Sequence, residues 1–200
     1  MQNLCPLNRK PYKYWPIEIL SGHRKESKLS EEQLIEGCCK NRRKYQRLLY
    51  ERYCDAMFTI AFRIVKDMDV ANDVLQEAFV QVFRDIKQFR RDSTIGAWIK
   101  TIVVRNAIKK LKTEESFLPI DQHTNGDIIS WPDEMRGEDL EKAILSLPAG
   151  YRTIFLLIEV EGYKHKEVAG MLNISEGTSK SQLYHAKKQL QQILKDFTER

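Results

Sequence analysis

The sequence predicts an all-α protein in which a flexible acidic linker joins two small helical domains. Apolar residues recur at helical spacing before residue 112 and again after residue 138, and this periodicity disappears in between. Prolines, glycines and an asparagine interrupt the intervening stretch. The 200 residues therefore divide into an amino-terminal arm (1–28), a first domain (29–112), a linker (113–137) and a second domain (138–200).

The composition excludes several classes of protein. With 42% apolar and 30% charged residues it is typical of soluble globular proteins, and no apolar run approaches the roughly 18 residues of a membrane span. The amino terminus lacks the continuous apolar core of a secretory signal, so we expect a cytoplasmic protein without membrane insertion. The cysteines show no zinc-site spacing and the histidines are scattered, so we expect no metal, cofactor or catalytic residue. Cys38 and Cys39 are expected to be plain thiols, with a redox or metal role as the alternative.

Four helices are predicted in the first domain. Ser30 followed by Gln33 is a capping box, and a second helix spans about 42–65. Asp69 is the predicted N-cap of the third helix, and a polar loop at 90–93 precedes a fourth helix ending near residue 112. The third helix has the clearest period, with one wide apolar face formed by Val74, Leu75, Ala78, Phe79, Val82, Phe83 and Ile86. Four such helices make one compact bundle.

Charge is unevenly distributed along the chain. Residues 84–112 hold nine Lys and Arg against two Asp, and Arg105, Lys109 and Lys112 share a helical face that can follow a phosphate backbone. Residues 114–141 hold nine acidic residues against one Arg. This segregation indicates that the folded parts meet a polyanion. Considered separately, the basic run also fits a solvated helix face, and the acidic run fits a linker kept extended by charge.

The second domain contains a helix-turn-helix pattern. A helix at about 164–172 is followed by a turn at 173–175 and a long helix that Ser175 can cap. Ala169 is small where the helices would cross, and Ile174 can fill the corner between them. The second helix begins with groups that suit phosphates and base edges, namely Glu176, Thr178, Ser179, Lys180 and Gln182. The alternative is an ordinary helical hairpin with a solvated first turn.

Four segments together resemble the sigma-70 family of RNA polymerase sigma factors, in its extracytoplasmic-function (ECF) group. DVLQEAF (73–79) resembles the helix of sigma domain two that grips the polymerase clamp, and FRRDSTIGAWI (89–99) is similar to its promoter-melting loop and the start of its minus-ten helix. LPAGYRTIFLLIEVEGY (147–163) and ISEGTSKSQL (174–183) are similar to sigma domain four, which reads the minus-35 element. The resemblance covers nearly everything from Ser30 onward and implies a factor that directs polymerase to promoters and assists promoter melting.

The resemblance also implies partners and site residues. The partners are promoter DNA, an anti-sigma factor and core RNA polymerase, contacted at the clamp of its largest subunit and the flap of its second largest. The polymerase-binding residues would be Asp73, Gln76, Glu77, Phe79, Gln81 and Arg84. The DNA-binding residues of domain two would be Arg90, Arg91, Ser93, Trp98, Lys100, Arg105, Asn106, Lys109 and Lys110. Those of domain four would be Lys164, Lys166, Glu176, Thr178, Ser179, Lys180, Ser181, Gln182 and His185.

The sequence departs from the family pattern at two places. Members commonly carry an aromatic residue three before the Trp and an Asn seven after it; here these positions are Ile95 and Arg105, with Asn106 one step late. A helix turns about 100° per residue, so Asn106 need not point where the family's Asn points. In the recognition helix, Ser179 and Gln182 stand where Val and Arg are usual. The promoter sequence therefore does not follow from the resemblance.

Two other classes of function have weaker support in the sequence. An autonomous helix-turn-helix regulator would bind operator DNA without polymerase, and it would need a dimerisation element. Leu183, Ala186, Leu190, Ile193 and Phe197 have a suitable spacing but span only two heptads, which packing within the domain also explains. An enzyme has little support, because the sequence has no Gly-rich phosphate loop and no nucleophile-base pair.

Overall fold

The computed structural model describes residues 29–114 and 137–198, with side chains described up to residue 111 in the first part and 196 in the second. Eight α-helices occupy these residues: α1 (Glu31–Cys39), α2 (Arg43–Val65), α3 (Met68–Asp85), α4 (Ile95–Glu114), α5 (Gly137–Ser146), α6 (Ala149–Phe155), α7 (His165–Leu172) and α8 (Glu176–Thr198). A 3-10 turn (Ile86–Gln88) follows α3, and a π-helical turn (Leu156–Val160) follows α6. The all-α prediction is confirmed. The predicted arm and nearly all of the predicted linker lie outside the described residues.

The first helix begins at the predicted capping box. The backbone N–H of Gln33 donates to Ser30 Oγ at 3.2 Å, and the backbone N–H of Ser30 donates to Gln33 Oε1 at 3.0 Å. These two bonds satisfy amides that have no partner within the helix. The capping box therefore fixes where the folded part of the first unit begins.

The third helix begins two residues earlier than the sequence suggested. Asp67, not Asp69, is its N-cap: Asp67 Oδ1 accepts a hydrogen bond from the backbone N–H of Val70 at 2.9 Å. Asp69 lies inside the first turn, where its negative charge still faces the positive end of the helix dipole. Both aspartates suit a helix start. Helix α2 ends just before them, with Lys66 in the left-handed region at φ 60°, so the next helix could begin at either one, and the sequence pattern does not distinguish them.

Helices α2, α3 and α4 pack around one core. Leu49 and Ile64 from α2, Leu75 from α3 and Ile99 from α4 are almost completely buried in it. Helix α4 lies so close to α2 that a Cβ on Gly96 would stand 2.9 Å from Cε1 of Tyr53. The bundle therefore holds the outer face of α3 and the face of α4 beside it in fixed positions.

The second unit is built around α8. Helices α5, α6 and α7 pack against it, and Ile154, Leu157, Val168 and Leu190 are among its buried side chains. The buried residues of both units belong to one hydrophobic cluster, because α6 also packs against α2. The two units therefore touch each other in this structure.

Candidate nucleic-acid and protein interfaces

The outer face of α3 is mostly polar. Four of the predicted contact residues are exposed on it: Asp73, Gln76, Glu77 and Arg84. Val74 and Leu75 are buried on the opposite side. Val80 lies one turn after Gln76 and one turn before Arg84, and 68% of its surface is exposed, a position that the sequence analysis did not single out.

Phe79 does not belong to this outer face, which corrects the sequence-based assignment. Its side chain is 3% exposed, and its ring meets the ring of Tyr50 edge-on with centroids 4.8 Å apart. The helical period places residue 79 one turn after Leu75, on the buried side. Phe79 therefore supports the outer face from inside the bundle.

The polar face of α3 adjoins the basic face of α4. Lys110 Nζ lies 2.7 Å from Glu77 Oε1, and Asn106 Nδ2 donates to Gln81 Oε1 at 3.3 Å. Asn106 also donates to the backbone carbonyl of Ile102 at 3.0 Å, so its amide is fixed against its own helix. Two predicted polymerase-binding residues are thus bonded to two predicted DNA-binding residues, and the two candidate surfaces form one continuous area.

The loop before α4 carries exposed cations beside an aromatic pair. Arg90, Arg91 and Ser93 are exposed, and Arg91 adopts a left-handed backbone with φ 64°. The rings of Phe89 and Trp98 lie 5.4 Å apart, with both side chains half-buried. Cations beside a partly open aromatic surface suit unpaired nucleotides, because phosphates meet the cations and bases stack on the ring.

Ile95 lies in the core rather than in a pocket. It is 1% exposed, at the first residue of α4. In the same helix Arg105 is exposed and Asn106 is half-buried. The structure therefore provides no aromatic side chain at position 95 and no Asn at position 105 to hold an extruded base.

Lys100 lies on a different face of α4 from Arg105 and Lys109. Arg105 and Lys109 are exposed, one turn apart, and can track a phosphate backbone, whereas the side chain of Lys112 lies outside the described atoms. Lys100 points elsewhere: its Nζ lies 3.0 Å from Glu161 Oε2 and 5.6 Å from the centre of the Tyr163 ring. Both partners belong to the second unit. In this structure Lys100 therefore faces the second unit, and not the DNA surface to which the sequence analysis assigned it.

The predicted helix-turn-helix is present. Helix α7 ends at Leu172, Asn173 takes the left-handed conformation with φ 58°, and α8 begins at Glu176. The backbone N–H of Thr178 donates to Ser175 Oγ at 2.9 Å, so Ser175 caps α8 as expected. The backbone N–H of Ile174 donates to the carbonyl of Ala169 at 3.0 Å and closes the corner. The turn, the cap and the corner contact are therefore those of a helix-turn-helix.

Only part of the predicted recognition surface is open. Four residues are exposed there: Lys164, Lys166, Glu176 and Lys180. Ser179, Ser181 and Gln182 are buried, with 0%, 8% and 2% of their surface exposed, which corrects their assignment as base-reading residues. The reason is the rotation of α8, whose packing against α6 and α7 turns these positions inward. Thr178 is half-buried at the edge of the surface.

Two of the three buried polar residues of α8, Ser179 and Ser181, have local hydrogen-bond partners. Ser179 Oγ lies 2.9 Å from His165 Nδ1, and Ser181 Oγ donates to the carbonyl of Thr178 at 3.1 Å. Among the described residues, Gln182 Oε1 has no hydrogen-bond partner. Ser179 and Ser181 therefore stabilise the turn and the first turns of α8.

Two histidines flank this motif. Burial, with Lys180 nearby, holds the pKa of His165 below its usual value, so its ring stays neutral at pH 7 while bonded to Ser179. His185 is half-buried, and its ring stacks with that of Tyr151 at a centroid distance of 6.2 Å. His185 therefore contributes to packing in the second unit, and its assignment as a DNA contact stays a prediction.

Burial makes Cys38 an unreactive thiol. Cys38 and Cys54 are fully buried, and burial, together with the neighbouring Cys39 thiol, raises the pKa of the Cys38 thiol to about 11. Such a thiol is protonated and unreactive at neutral pH.

Within residues 29–111 and 137–196, His, Cys, Asp and Glu nowhere gather in a group of three or more that could hold a metal ion. The helices described here include none with the length and apolarity needed to cross a membrane.

Comparison with known proteins matches both units to families. Sigma-70 region 2 matches residues 49–117, and sigma-70, region 4 matches residues 137–190. The RNA polymerase sigma factor SigV of Bacillus subtilis (strain 168) is 31% identical over 132 residues, which cover 66% of this chain and 80% of that protein. The ECF RNA polymerase sigma-E factor of Haemophilus influenzae is 26% identical over 179 residues, covering 82% and 94%. The solved structure of CnrH in complex with the cytosolic domain of CnrY shares the fold, with a TM-score of 0.50 at 18% identity, covering 82% of this chain and 96% of that one.

Proposed function

Because the chain belongs to the sigma-70 family of RNA polymerase sigma factors, in its extracytoplasmic-function group, we propose a role in initiation for each of its exposed surfaces. The outer face of α3 binds the clamp of the largest polymerase subunit. The loop before α4, with Trp98, Arg105 and Lys109, contacts and helps open the minus-ten element. The exposed start of α8 and the start of α7 contact the minus-35 element.

One observation carries this assignment. The polar outer face of α3 and the basic face of α4 are adjacent and are joined by the bond between Glu77 and Lys110. A factor that brings polymerase to DNA needs a protein-binding surface beside a DNA-binding surface. The two faces provide both on one rigid bundle, which fixes the orientation of the DNA relative to the polymerase.

We infer that exposed lysines make the main contacts to the minus-35 element. Lys180 in the first turns of α8 and Lys164 and Lys166 at the start of α7 are exposed on the same motif. Cations there meet phosphates and guanine edges. The buried Ser179 and Ser181 hold α8 in position through their hydrogen bonds instead of reading bases.

The remaining partners follow from the family. We propose that the second unit contacts the flap of the second-largest polymerase subunit and that an anti-sigma factor binds the free chain; the similar protein CnrH was solved in complex with the cytosolic domain of CnrY. RNA polymerase and chromosomal DNA lie in the bacterial cytoplasm, so we place the protein there. It acts by binding and positioning, and we assign it no enzymatic activity.

The alternative, an autonomous regulator, would need an exposed dimerisation stripe on α8. Leu183, Ala186 and Leu190 of that stripe are buried against the rest of the second unit. A pull-down of the full chain with core RNA polymerase separates the two functions. We expect retention of polymerase in amounts comparable to the chain, whereas an autonomous regulator would retain none and would bind its operator tightly alone.

Replacing Lys109 by Ala is expected to weaken binding of the polymerase complex to all cognate promoters by a similar factor. Lys109 is exposed one turn from the exposed Arg105, and two cations spaced in this way can track the phosphate backbone, which carries no sequence information. The slope of log affinity against log salt should fall by about 1. The control is Lys44→Ala, at an exposed position in the first turn of α2, and it should leave the slope unchanged. A change in preference between promoter variants would instead make Lys109 a base contact.

A further inference from the structure

The turn that joins α1 to α2 is rich in cations. Residues 37–50 hold five Lys and Arg and no Asp or Glu. The turn itself is tightly closed, because Asn41 takes the left-handed conformation with φ 52° and the backbone N–H of Arg42 donates to the carbonyl of Gly37 at 3.1 Å. Lys40 and Arg42 are exposed on it. The backbone of the turn therefore presents these cations to solvent at fixed positions.

The stability of α2 does not account for this charge. Arg42 is the N-cap of the helix and makes no capping hydrogen bond with its side chain, and no residue of the first turn is acidic. Ser, Thr, Asp and Asn are the residues that cap a helix start well, and the positive end of the helix dipole repels cations. Arg42 and Arg43 at this end therefore destabilise α2. A cation that opposes the helix it begins is explained by a contact outside the fold.

Arg42 lies beside the loop that precedes α4. Helix α1 packs against the 3-10 turn that leads into this loop. The pKa of the exposed Glu36 carboxyl is held below its usual value, mainly by its bond to Lys40. Arg42 and Arg91 lower it further, so both guanidinium groups lie near this carboxyl. Lys40 already neutralises the carboxylate, so Arg42 and Arg91 carry the net positive charge of this area.

An aromatic ring lies on the same side of α2 as Arg42. Tyr45 follows Arg42 by three residues, which places both on one face of the helix. The Tyr45 ring packs on Gly37, where any Cβ would overlap it, and the side chain is half-buried. Lys44, by contrast, stands about 200° around the helix from Arg42. We call Arg42, Tyr45 and Arg91 the basic corner.

We propose that the basic corner binds the unpaired promoter strand where this strand continues beyond the minus-ten element, on the side away from the minus-35 element. This inference rests on the function proposed above, and it extends the single-strand surface that Phe89, Trp98 and the loop before α4 provide. Phosphates meet Arg42 and Arg91, and a base stacks on the open part of the Tyr45 ring. Cations that follow the backbone beside aromatic rings that stack on bases are the general means of binding single strands.

The order of the cations along the bundle gives the direction of the strand. Arg105 and Lys109 lie toward the carboxyl end of α4, about 15 to 21 Å from its first residue at about 1.5 Å per residue. From that end the chain continues to the unit proposed to contact the minus-35 element. The basic corner lies at the opposite end, where the loop enters α4. A strand that passes Lys109 and Arg105 and then the loop therefore reaches the corner last.

Replacing Arg42 by Ser separates this role from folding. The variant removes the cation and supplies a residue that caps α2 well, so its melting temperature should rise by about 2 °C or more. A melting temperature below that of the wild type would make Arg42 a structural residue and would overturn the inference. Lys44→Ala is the matched control, because it removes a cation of the same helix turn from the other side of α2.

The test compares two DNA molecules, each bound by the full chain in complex with core polymerase. Both are cognate promoters that are duplex as far as the minus-ten element, which is single-stranded. In one molecule the single strand ends with this element, and in the other it continues for about six nucleotides, the length of a small single-strand site. The ratio of the two affinities reports contacts to the added nucleotides alone. Affinity for core polymerase without DNA is measured for each variant as well.

We expect the added nucleotides to tighten binding by the wild-type complex about fivefold or more, since one stacked base contributes this much. Arg42→Ser should lose most of this gain, and its slope of log affinity against log salt on the longer DNA should fall by about 1. Lys44→Ala should keep the gain, and both variants should bind core polymerase as the wild type does.

Three results would overturn the basic corner alone: equal wild-type affinities for the two DNA molecules, a gain that persists in Arg42→Ser, and a gain that Lys44→Ala loses equally. Weaker binding of Arg42→Ser to core polymerase without DNA would also overturn it, because the corner would then be a protein contact. If the wild-type complex bound neither DNA, the proposed function would fail and the corner with it.

Discussion

Replacing Gln76 by Ala together with Glu77 by Lys is expected to weaken the affinity of the chain for core RNA polymerase by about tenfold or more, since central contact residues commonly contribute this much. Both side chains are exposed on the outer face of α3, next to the exposed Val80, while the opposite side of the helix is buried. The variant changes the charge and contact area of this face but leaves the core of the bundle intact. Affinity is measured by titrating labelled core polymerase, with circular dichroism as the check on folding.

The control for this variant is Glu32→Lys, which makes the same change in net charge at an exposed position of α1. It should leave the affinity for core polymerase unchanged. The loss of the Glu77 pair with Lys110 has little effect on folding, because a pair this exposed contributes little to stability. Equal affinities for the variant and the wild type, with both folded, would remove α3 from the polymerase interface.

Replacing Lys180 by Glu is expected to lower promoter binding by the polymerase complex by about tenfold or more, with the loss confined to promoters that depend on the minus-35 element. Lys180 is exposed in the first turns of α8, where the helix-turn-helix places the groups that enter the major groove. The substitution exchanges an attraction to phosphate for a repulsion, so its effect exceeds that of removing the cation. Binding is measured on a cognate promoter and on the same promoter with its upstream element scrambled.

Lys195→Glu is the matched control, because it reverses a charge on the same helix at an exposed position near the other end. It should bind both promoters as the wild type does. If Lys180→Glu weakened the scrambled promoter as much as the intact one, Lys180 would act by general electrostatics alone. An unchanged affinity for the intact promoter would place the DNA contact elsewhere.

The sequence predicted the architecture of the first unit and much of its candidate surface. The period of α3 placed Asp73, Gln76 and Glu77 outside and Val74 and Leu75 inside, as the structure has them. The helical period gives the correct orientation of α3 because a long amphipathic helix on a bundle has one arrangement that buries its apolar face. Phe79 was misassigned by following the motif and not the period, which had already placed it in the core.

The recognition helix shows why a motif does not determine which side chains are open. Ser179, Ser181 and Gln182 are polar, and polar residues at a helix start are expected to face solvent. Here the orientation of α8 is decided by its packing against α6 and α7, and Ser179 and Ser181 find partners in His165 and the carbonyl of Thr178. Short hydroxyl side chains can be buried in this way because local bonds satisfy them.

The contact between the two units could not be predicted from the sequence. Arg152 lies in a short helix of mostly buried residues. In the sequence, the one sign of its role in this contact is a charged side chain at a position that the helical period places on the buried face. Its two hydrogen-bond acceptors in the first unit are backbone carbonyls of residues about ninety positions earlier, and a carbonyl has no signature in a sequence. Such long-range pairing depends on how two units pack, which local patterns do not encode.

The most direct test of the central claim maps where core polymerase starts transcription on genomic DNA of the source bacterium, with and without this chain, by sequencing the 5′ ends of the transcripts. We expect a set of start sites that appears only when the chain is added, preceded by shared sequences near positions minus ten and minus 35. Identical start sites with and without the chain, or added sites with no shared upstream sequence, would contradict it.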